Sequence, residues 1–241
     1  MRNIVVTGAS RGIGLAVARR LVAGGDNVIA IARNPSRELE LLAEGKTNGG
    51  VSFLPFDLGD IEGIPEFVRR LRQRFDALHG LVNNAAIGTA GLLTTMRNSQ
   101  IDELIRVNVT SPIILTKYVA RSMMVNGGGR IVNISSVIAS TGYNGLSVYG
   151  ATKAASIGFT RSLARELGRL GVNVNAVSPG FMDTALTQEM GAEGQEKIAR
   201  RSALGRLPEV DDVADAVEFL LSEKARNITG TVLTVDAGST A

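Results

Sequence analysis

Tyr149 and Lys153 stand four residues apart in "SVYGATKAASIGF", a stretch made largely of Gly, Ala, Ser and Thr. With three tyrosines and five lysines among 241 residues, chance predicts far fewer than one such pair. On a helix this spacing puts both side chains on one face, a turn apart. A phenol with a pKa of about 10 is a poor acid or base near neutrality, and a neighbouring ammonium favours its phenolate. The pair is therefore a candidate proton-transfer site. The bland alternative is a surface pair worth about a few tenths of a kcal/mol. The small residues Gly150, Ala151, Ala154 and Ala155 would let a ligand or a partner helix come near.

A second candidate site opens the chain, where "NIVVT" runs into "TGASRGIG" and then directly into a helical pattern. Gly8, Gly12 and Gly14 permit a tight turn and close ligand approach, and the helix start offers unpaired N–H groups to a phosphate. The spacing is Gly-x3-Gly-x-Gly, not the commoner Gly-x-Gly-x-x-Gly dinucleotide fingerprint. Plain strand-to-helix turns also favour glycine, so the argument rests on the turn following the first strand of an α/β chain. The next apolar run ends "AIARNPSR". Folds that take NAD place an acid here for the ribose hydroxyls. This chain has Ala32 and Arg33 instead, with Arg11 as a second cation in the glycine turn. Two guanidiniums without a carboxylate suit a 2′-phosphate, so the expected cofactor is NADP(H).

Composition narrows the alternatives. There is no cysteine, which removes disulfides, thiol nucleophiles and thiolate metal sites. The single histidine, His79, leaves a Ser-His-Asp hydrolase one candidate base, and its place between "FVRRLRQRF" and "GLVNNAA" suits a loop or strand edge better. The densest basic run, residues 69–74, has Phe67, Val68, Leu71 and Phe75 at helical spacing. It reads as the solvated face of an amphipathic helix and not as a nucleic-acid surface. No apolar run is long enough to span a membrane and the apolar first strand leaves no room for a signal peptide, so a soluble cytoplasmic protein is expected.

Seven β-branched runs, residues 3–7, 27–32, 51–56, 80–84, 130–135, 172–178 and 231–235, read as strands. Most are apolar on both faces, as in parallel strands covered by helices on each side. Helical patterns run over "GIGLAVARRLVAG", from Gln100 towards Met124, and from Tyr149 towards Leu167. The expected fold is one doubly wound, Rossmann-type α/β domain spanning residues 1–241, with helices flanking a seven-stranded parallel sheet. Residues 186–201 carry few large apolar side chains and read as a flap over a site.

Taken together, "TGASRGIG", the aspartate of "PFDL", "NNAA", "RVNV", "GRIVNISS", "YGATK", "SPGFMDT" and "ITGTVLTVDAG" occur in the order and spacing of one family. Across essentially its whole length the chain resembles the short-chain dehydrogenase/reductase family, and within it the bacterial 3-oxoacyl-[acyl-carrier-protein] reductases. That resemblance implies a catalytic tetrad of Asn108, Ser136, Tyr149 and Lys153, with Ser136 rather than Ser135 at the right separation from the tyrosine. It implies that Gly8, Ser10, Arg11, Gly12, Ile13 and Gly14 hold the phosphates and that Asp57 and Leu58 contact adenine. Asn84, Ala85 and Ala86 would line the cofactor cleft, and Met182 and Thr184 would hold the nicotinamide carboxamide. It further implies NADPH-dependent reduction of a 3-oxoacyl thioester, a small-molecule carbonyl substrate delivered on acyl carrier protein, a place in fatty acid biosynthesis, and a homotetramer. No nucleic acid, membrane or metal is expected.

The chain departs from that pattern at several positions. Ala86 replaces a glycine in "NNAA", and Gly127 and Leu170 replace the basic residues used for carrier docking. Arg97, Arg130 and Arg169 are then the remaining candidate docking cations near the cleft mouth. The loop "TGYNGLS" carries bulkier residues, Tyr143 and Leu146, than is usual there. Two other readings stay open, a dehydrogenase of a sugar, polyol or other secondary alcohol, and a non-catalytic dinucleotide-binding redox sensor. Retention of both Tyr149 and Lys153 counts against the last.

Overall fold

The first strand, β1 (Asn3–Thr7), alternates Ile4 and Val6 towards one face with Val5 towards the other, and all three are buried. Only a strand covered on both faces is apolar in this way. In the computed structural model, which describes residues 1–45, 49–182 and 191–241, β1 lies inside a seven-stranded parallel sheet. Its partners are β2 (Asn27–Ala32), β3 (Gly50–Pro55), β4 (Gly80–Asn83), β5 (Gly129–Ile134), β6 (Val172–Pro179) and β7 (Val232–Val235). The strand order is β3-β2-β1-β4-β5-β6-β7. Every pairing is parallel, with Val5 opposite Ile29 on one side and Leu81 on the other. The expected strands are all present, with no end differing by more than one residue.

Two apolar layers cover the sheet. On one face α1 (Gly12–Ala23) packs on α9 (Val210–Leu221), using Val17, Leu21, Val213 and Val217 over Ile4, Val6, Val28 and Val132. On the other, α3 (Ile64–Phe75), α5 (Ser111–Val125) and α7 (Ser147–Leu167) cover Val5, Ile29, Leu81, Ile131 and Val174. In α3, Phe67, Val68 and Leu71 are buried while Arg69, Arg70, Arg72 and Arg74 face out, so the basic run is a solvated helix face. Shorter helices α2 (Arg37–Glu44), α4 (Asn98–Ile105), α6 (Ile138–Thr141) and α8 (Gly191–Arg201) complete the chain. The stretch read as a flap therefore ends in helix α8, and its earlier part, with residues 183–190, lies outside the described residues.

Two local features aim the fold at a site. The strand order reverses between β1 and β4, which opens a crevice at the carboxyl ends of these strands. The helix expected from Gln100 to Met124 is not uniform, because α4 passes into α5 through one π-helical turn, Arg106–Thr110. Pro112 explains part of this, since it has no N–H to return to the Asn108 carbonyl four residues back. Asn108 is thereby set in a locally widened turn. Below it, Asn83 Nδ2 donates to Thr116 Oγ1 at 2.9 Å and to Asn133 Oδ1 at 2.8 Å, and Asn133 Nδ2 donates to Thr160 Oγ1 at 2.8 Å. This buried chain of amides and hydroxyls ties β4 and β5 to α5 and α7. His79 sits at the opposite end of the sheet, where its Nδ1 accepts the Asn3 N–H at 3.0 Å.

Candidate active site

The glycine turn is fixed by what will not fit. A methyl group at Gly14 would collide with the Gly8 carbonyl oxygen and come within 2.6 Å of Asn84 Nδ2, while one at Gly8 would come within 3.0 Å of the Ala85 backbone. Gly12, with φ of +54°, instead faces open space. Thr7 locks the turn to β4, its hydroxyl accepting the N–H groups of Asn84 at 2.9 Å and Ala85 at 3.0 Å. Asn84 Nδ2 donates back to the Thr7 carbonyl at 2.8 Å. The helix end behind Gly12 points its free N–H groups into the crevice between β1 and β4. Arg11 and Arg33 are both exposed beside it, and neither makes an ion pair among the described residues. A cradle sealed against side chains, an amide-lined helix end and two unpaired guanidiniums fit the phosphates of NADP(H).

Asp57 and Leu58 follow β3 at the same end of the sheet, with the Asp57 carboxylate accepting the Gly59 N–H at 2.8 Å. Ala85 and Ala86 follow β4 at this same end of the sheet and are half-buried. Met182 is buried in the same apolar cluster as Ala9 and Ile134. Thr184, expected beside it, lies outside the described residues.

Ser136, Tyr149 and Lys153 come together where β5 ends and α7 begins. Ser136 Oγ accepts the Ile138 N–H at 3.2 Å, which leaves its own proton to donate, and it hydrogen-bonds the Tyr149 phenol. The adjacent Ser135 is buried and donates to the Lys153 carbonyl at 2.9 Å, so of the two serines only Ser136 faces the tyrosine. Lys153 is only 6% exposed, and its Nζ donates to the Ile134 carbonyl at 2.9 Å. Asn108 is bound at both ends of its amide. Its Oδ1 accepts the Ile87 N–H at 2.9 Å, and its Nδ2 donates to the Ile87 carbonyl at 2.9 Å and to Thr152 Oγ1 at 3.2 Å. Thr152 in turn donates to the Tyr149 carbonyl at 2.7 Å. A cavity of about 30 Å³ lies between Asn108 and Lys153, bounded by Asn83, Asn133, Pro112 and Ser156.

The electrostatics depart from the sequence-based expectation. Lys153 Nζ lies 5.6 Å from the centre of the Tyr149 ring. Even so, burial pushes the phenol above its ordinary pKa, with only the Ser136 hydrogen bond opposing the rise. Burial also pulls Lys153 down to about 8. The helical spacing correctly puts the two residues on one face, but it carries no information on desolvation, which disfavours both charged forms.

Sequence reasoning missed Thr7, Thr152 and the Asn83–Asn133 pair. Thr152 shares the face of Tyr149, Lys153, Ser156 and Thr160, and that run of polar residues at helical spacing was a usable signal. Two of the three arginines expected at the cleft mouth are not there. Arg130 begins β5 at the opposite end of the sheet from Ser136, where it donates to Asn173 Oδ1 at 3.1 Å and pairs with Glu223 at 2.7 Å. Arg169 follows α7 and precedes β6, at that same far end. Arg97, at the start of α4, is exposed on the cleft side. Among the described residues no cluster of acids and histidine is placed to hold a metal, and no helix is long and apolar enough to cross a membrane.

A doubly wound parallel sheet with a phosphate cradle at its reversal point and a Ser–Tyr–Lys cluster across the crevice defines the class of nicotinamide-dependent oxidoreductases. The chain belongs to the short-chain dehydrogenase/reductase family. A family model described as "Enoyl-(Acyl carrier protein) reductase" matches residues 8–240. The chain is 38% identical over 234 residues to the 3-oxoacyl-[acyl-carrier-protein] reductase of Escherichia coli (strain K12), covering 97% of this chain and 95% of that one. It superposes on a short-chain type dehydrogenase/reductase from Mycobacterium ulcerans with a TM-score of 0.92 and 33% identity, covering 99% and 89% of the two chains. A gluconate 5-dehydrogenase from Burkholderia cenocepacia J2315, in complex with NADP and tartrate, gives a TM-score of 0.92, 29% identity and coverage of 99% and 95%.

The lowered lysine has a signed consequence for stability. The folded state binds fewer protons than the unfolded chain between the pKa of about 8 and the ordinary value of 10.5. Stability from this group therefore rises with pH across that window and is lowest below it. Urea unfolding of the wild type and Lys153→Met from pH 7 to pH 10 should show the wild type gaining on the variant as pH rises. A constant difference would mean that Lys153 is not desolvated.

Proposed function

We propose that this protein is an NADPH-dependent reductase that converts a carbonyl to a secondary alcohol, acting on 3-oxoacyl thioesters. The observation that carries this reading is the convergence of Ser136, Tyr149 and Lys153 on one wall of the cofactor crevice. Bound NADPH supplies the hydride. Ser136, already held by the Ile138 N–H, directs its proton at the substrate carbonyl oxygen and polarises the bond. Tyr149, kept in the phenol form by burial, gives its proton to that oxygen as negative charge develops. Lys153, with a pKa of about 8, then returns a proton to the phenolate. The cavity beside Asn108 is large enough for a water and gives Lys153 a path outward. Asn108 acts as a positioning residue, holding the β4 loop to α7 through Ile87 and Thr152.

Arg11 and Arg33 would receive the 2′-phosphate, with Ser10, Ile13, Asp57 and Leu58 completing the adenosine side. Support for a thioester on acyl carrier protein comes from the Escherichia coli relative. The gluconate 5-dehydrogenase supports a second reading, oxidation of a sugar acid by the same cluster. The assembly we infer is a cytoplasmic homotetramer. Exposed Ala151, Ala154, Ala155 and Gly158 form a close-approach face along α7, and β7 has an unpaired edge.

Tyr149→Phe should fold and bind NADPH normally while losing about 10²–10⁴-fold in kcat, the usual worth of general acid catalysis. A rate within about twofold of wild type would end this mechanism. Arg33→Asp should exchange preference for NADPH over NADH for the reverse, read from Kd values by nicotinamide fluorescence, and an unmodified protein that already prefers NADH would refute the role of the arginines. Sedimentation velocity should give the mass of four chains, and a monomer would remove the tetramer.

A further inference from the structure

The crevice opens to solvent between three stretches of chain, residues 84–96 after β4, residues 137–148 between Ser136 and Tyr149, and residues 178–182 at the end of β6. None of these stretches contains a charged residue. They do contain large apolar side chains that stand exposed among the described residues. Leu92 is 55% exposed, Leu93 56% and Tyr143 46%. The Tyr143 ring leans on Phe181, with ring centres 5.2 Å apart. The two banks are stapled together by the Gly91 N–H, which donates to the Gly145 carbonyl at 2.9 Å. Gly142 and Gly145, with φ of +71° and +78°, turn the chain sharply on either side of Tyr143. The Leu146 N–H closes that turn on the Tyr143 carbonyl at 3.1 Å. The backbone on either side of Tyr143 is thus fixed, and its ring packs on Phe181.

We infer that Tyr143 sets which chain length the site prefers, forming with Phe181 the wall against which the alkyl chain on the reacting carbonyl packs, facing Leu92 and Leu93. This deepens the carbonyl-reductase reading and rests on it. The stretch that carries Tyr143 runs directly from Ser136 to Tyr149, so an occupant that reaches those two residues lies beside it. A carboxylate or phosphate on the substituent would meet no counterion along these stretches and would lose its hydration. An alkyl chain loses only unfavourable contact with water, and each methylene withdrawn is worth about fourfold in affinity. The polar part of a thioester carrier stays outside, on the side of Arg97. Tyr143 is in this sense a specificity-determining residue.

The test is NADPH oxidation with N-acetylcysteamine thioesters of the four-carbon and eight-carbon 3-oxo acids and with a keto-gluconate. The wild type should favour the eight-carbon thioester in kcat/KM by at least about tenfold and leave the keto-gluconate unreduced. Tyr143→Ala should bring the chain-length ratio to within about twofold, while Tyr143→Phe keeps it because the ring remains. Leu93→Ser, on the opposite bank at a more exposed position, should lower the same ratio. Reduction of the thioesters with no chain-length preference, retention of the preference in Tyr143→Ala, or a better rate on the keto-gluconate would overturn this inference and leave the reductase reading standing. Turnover of none of these carbonyls by the wild type would overturn both.

Discussion

The side chain on which the rest of the site depends is Lys153, held away from water at the sheet end of α7. Burying an ammonium costs about several kcal/mol unless its protons find partners, and here the Ile134 carbonyl takes one of them. The backbone carbonyl of Lys153 accepts from both Ser135 and Ser156, so the helix turn that carries the lysine is fixed to β5 and to itself. Thr152 and Asn108 brace the same turn from the π-helical side. The result is a cation whose pKa falls to about 8, where it can both hold and release a proton near neutrality.

The two halves of the site are built by different physics. The cofactor cradle is a matter of exclusion. Gly8 and Gly14 lie so close to Asn84 and Ala85 that only hydrogen atoms fit, and Thr7 locks that geometry with a single hydroxyl. The reaction wall is a matter of desolvation, where burial raises the Tyr149 phenol against the Ser136 hydrogen bond and lowers the Lys153 ammonium. The reversal of strand order between β1 and β4 places these halves on facing sides of one crevice. The mouth of the crevice follows a third rule. Residues 84–96, 137–148 and 178–182 around it carry no charge, and Leu92, Leu93 and Tyr143 on them are exposed.

Much of this architecture was legible before any coordinates. Both faces of β1, β2 and β5 are apolar in the sequence, and a parallel sheet covered by helices is the arrangement that buries them. The four-residue spacing of Tyr149 and Lys153, the glycines after the first strand and the absence of an acid after the second are local patterns. Local patterns survive in a linear reading because the helix and the turn that carry them are themselves local. The same holds for the basic run of α3, whose interleaved apolar residues already mark a solvated face.

What only the tertiary structure decided depends on residues distant in the chain. Whether Tyr149 ends with a lowered or a raised pKa turns on its burial in the folded chain, and no spacing encodes that. The π-helical turn at Asn108 reflects both a local cause, Pro112, and a distant one, the two hydrogen bonds to Ile87. Arg130 and Arg169 belong to the far end of the sheet because strand direction, not proximity to a motif in sequence, sets which end of β5 and β6 a residue occupies. The pairing of Tyr143 with Phe181 joins loops 38 residues apart, and it needed the parallel register of β5 and β6 to bring their ends together. The sequence determined the elements and the chemistry they carry, whereas the fold determined which side chains share a solvent environment, and so how each one titrates.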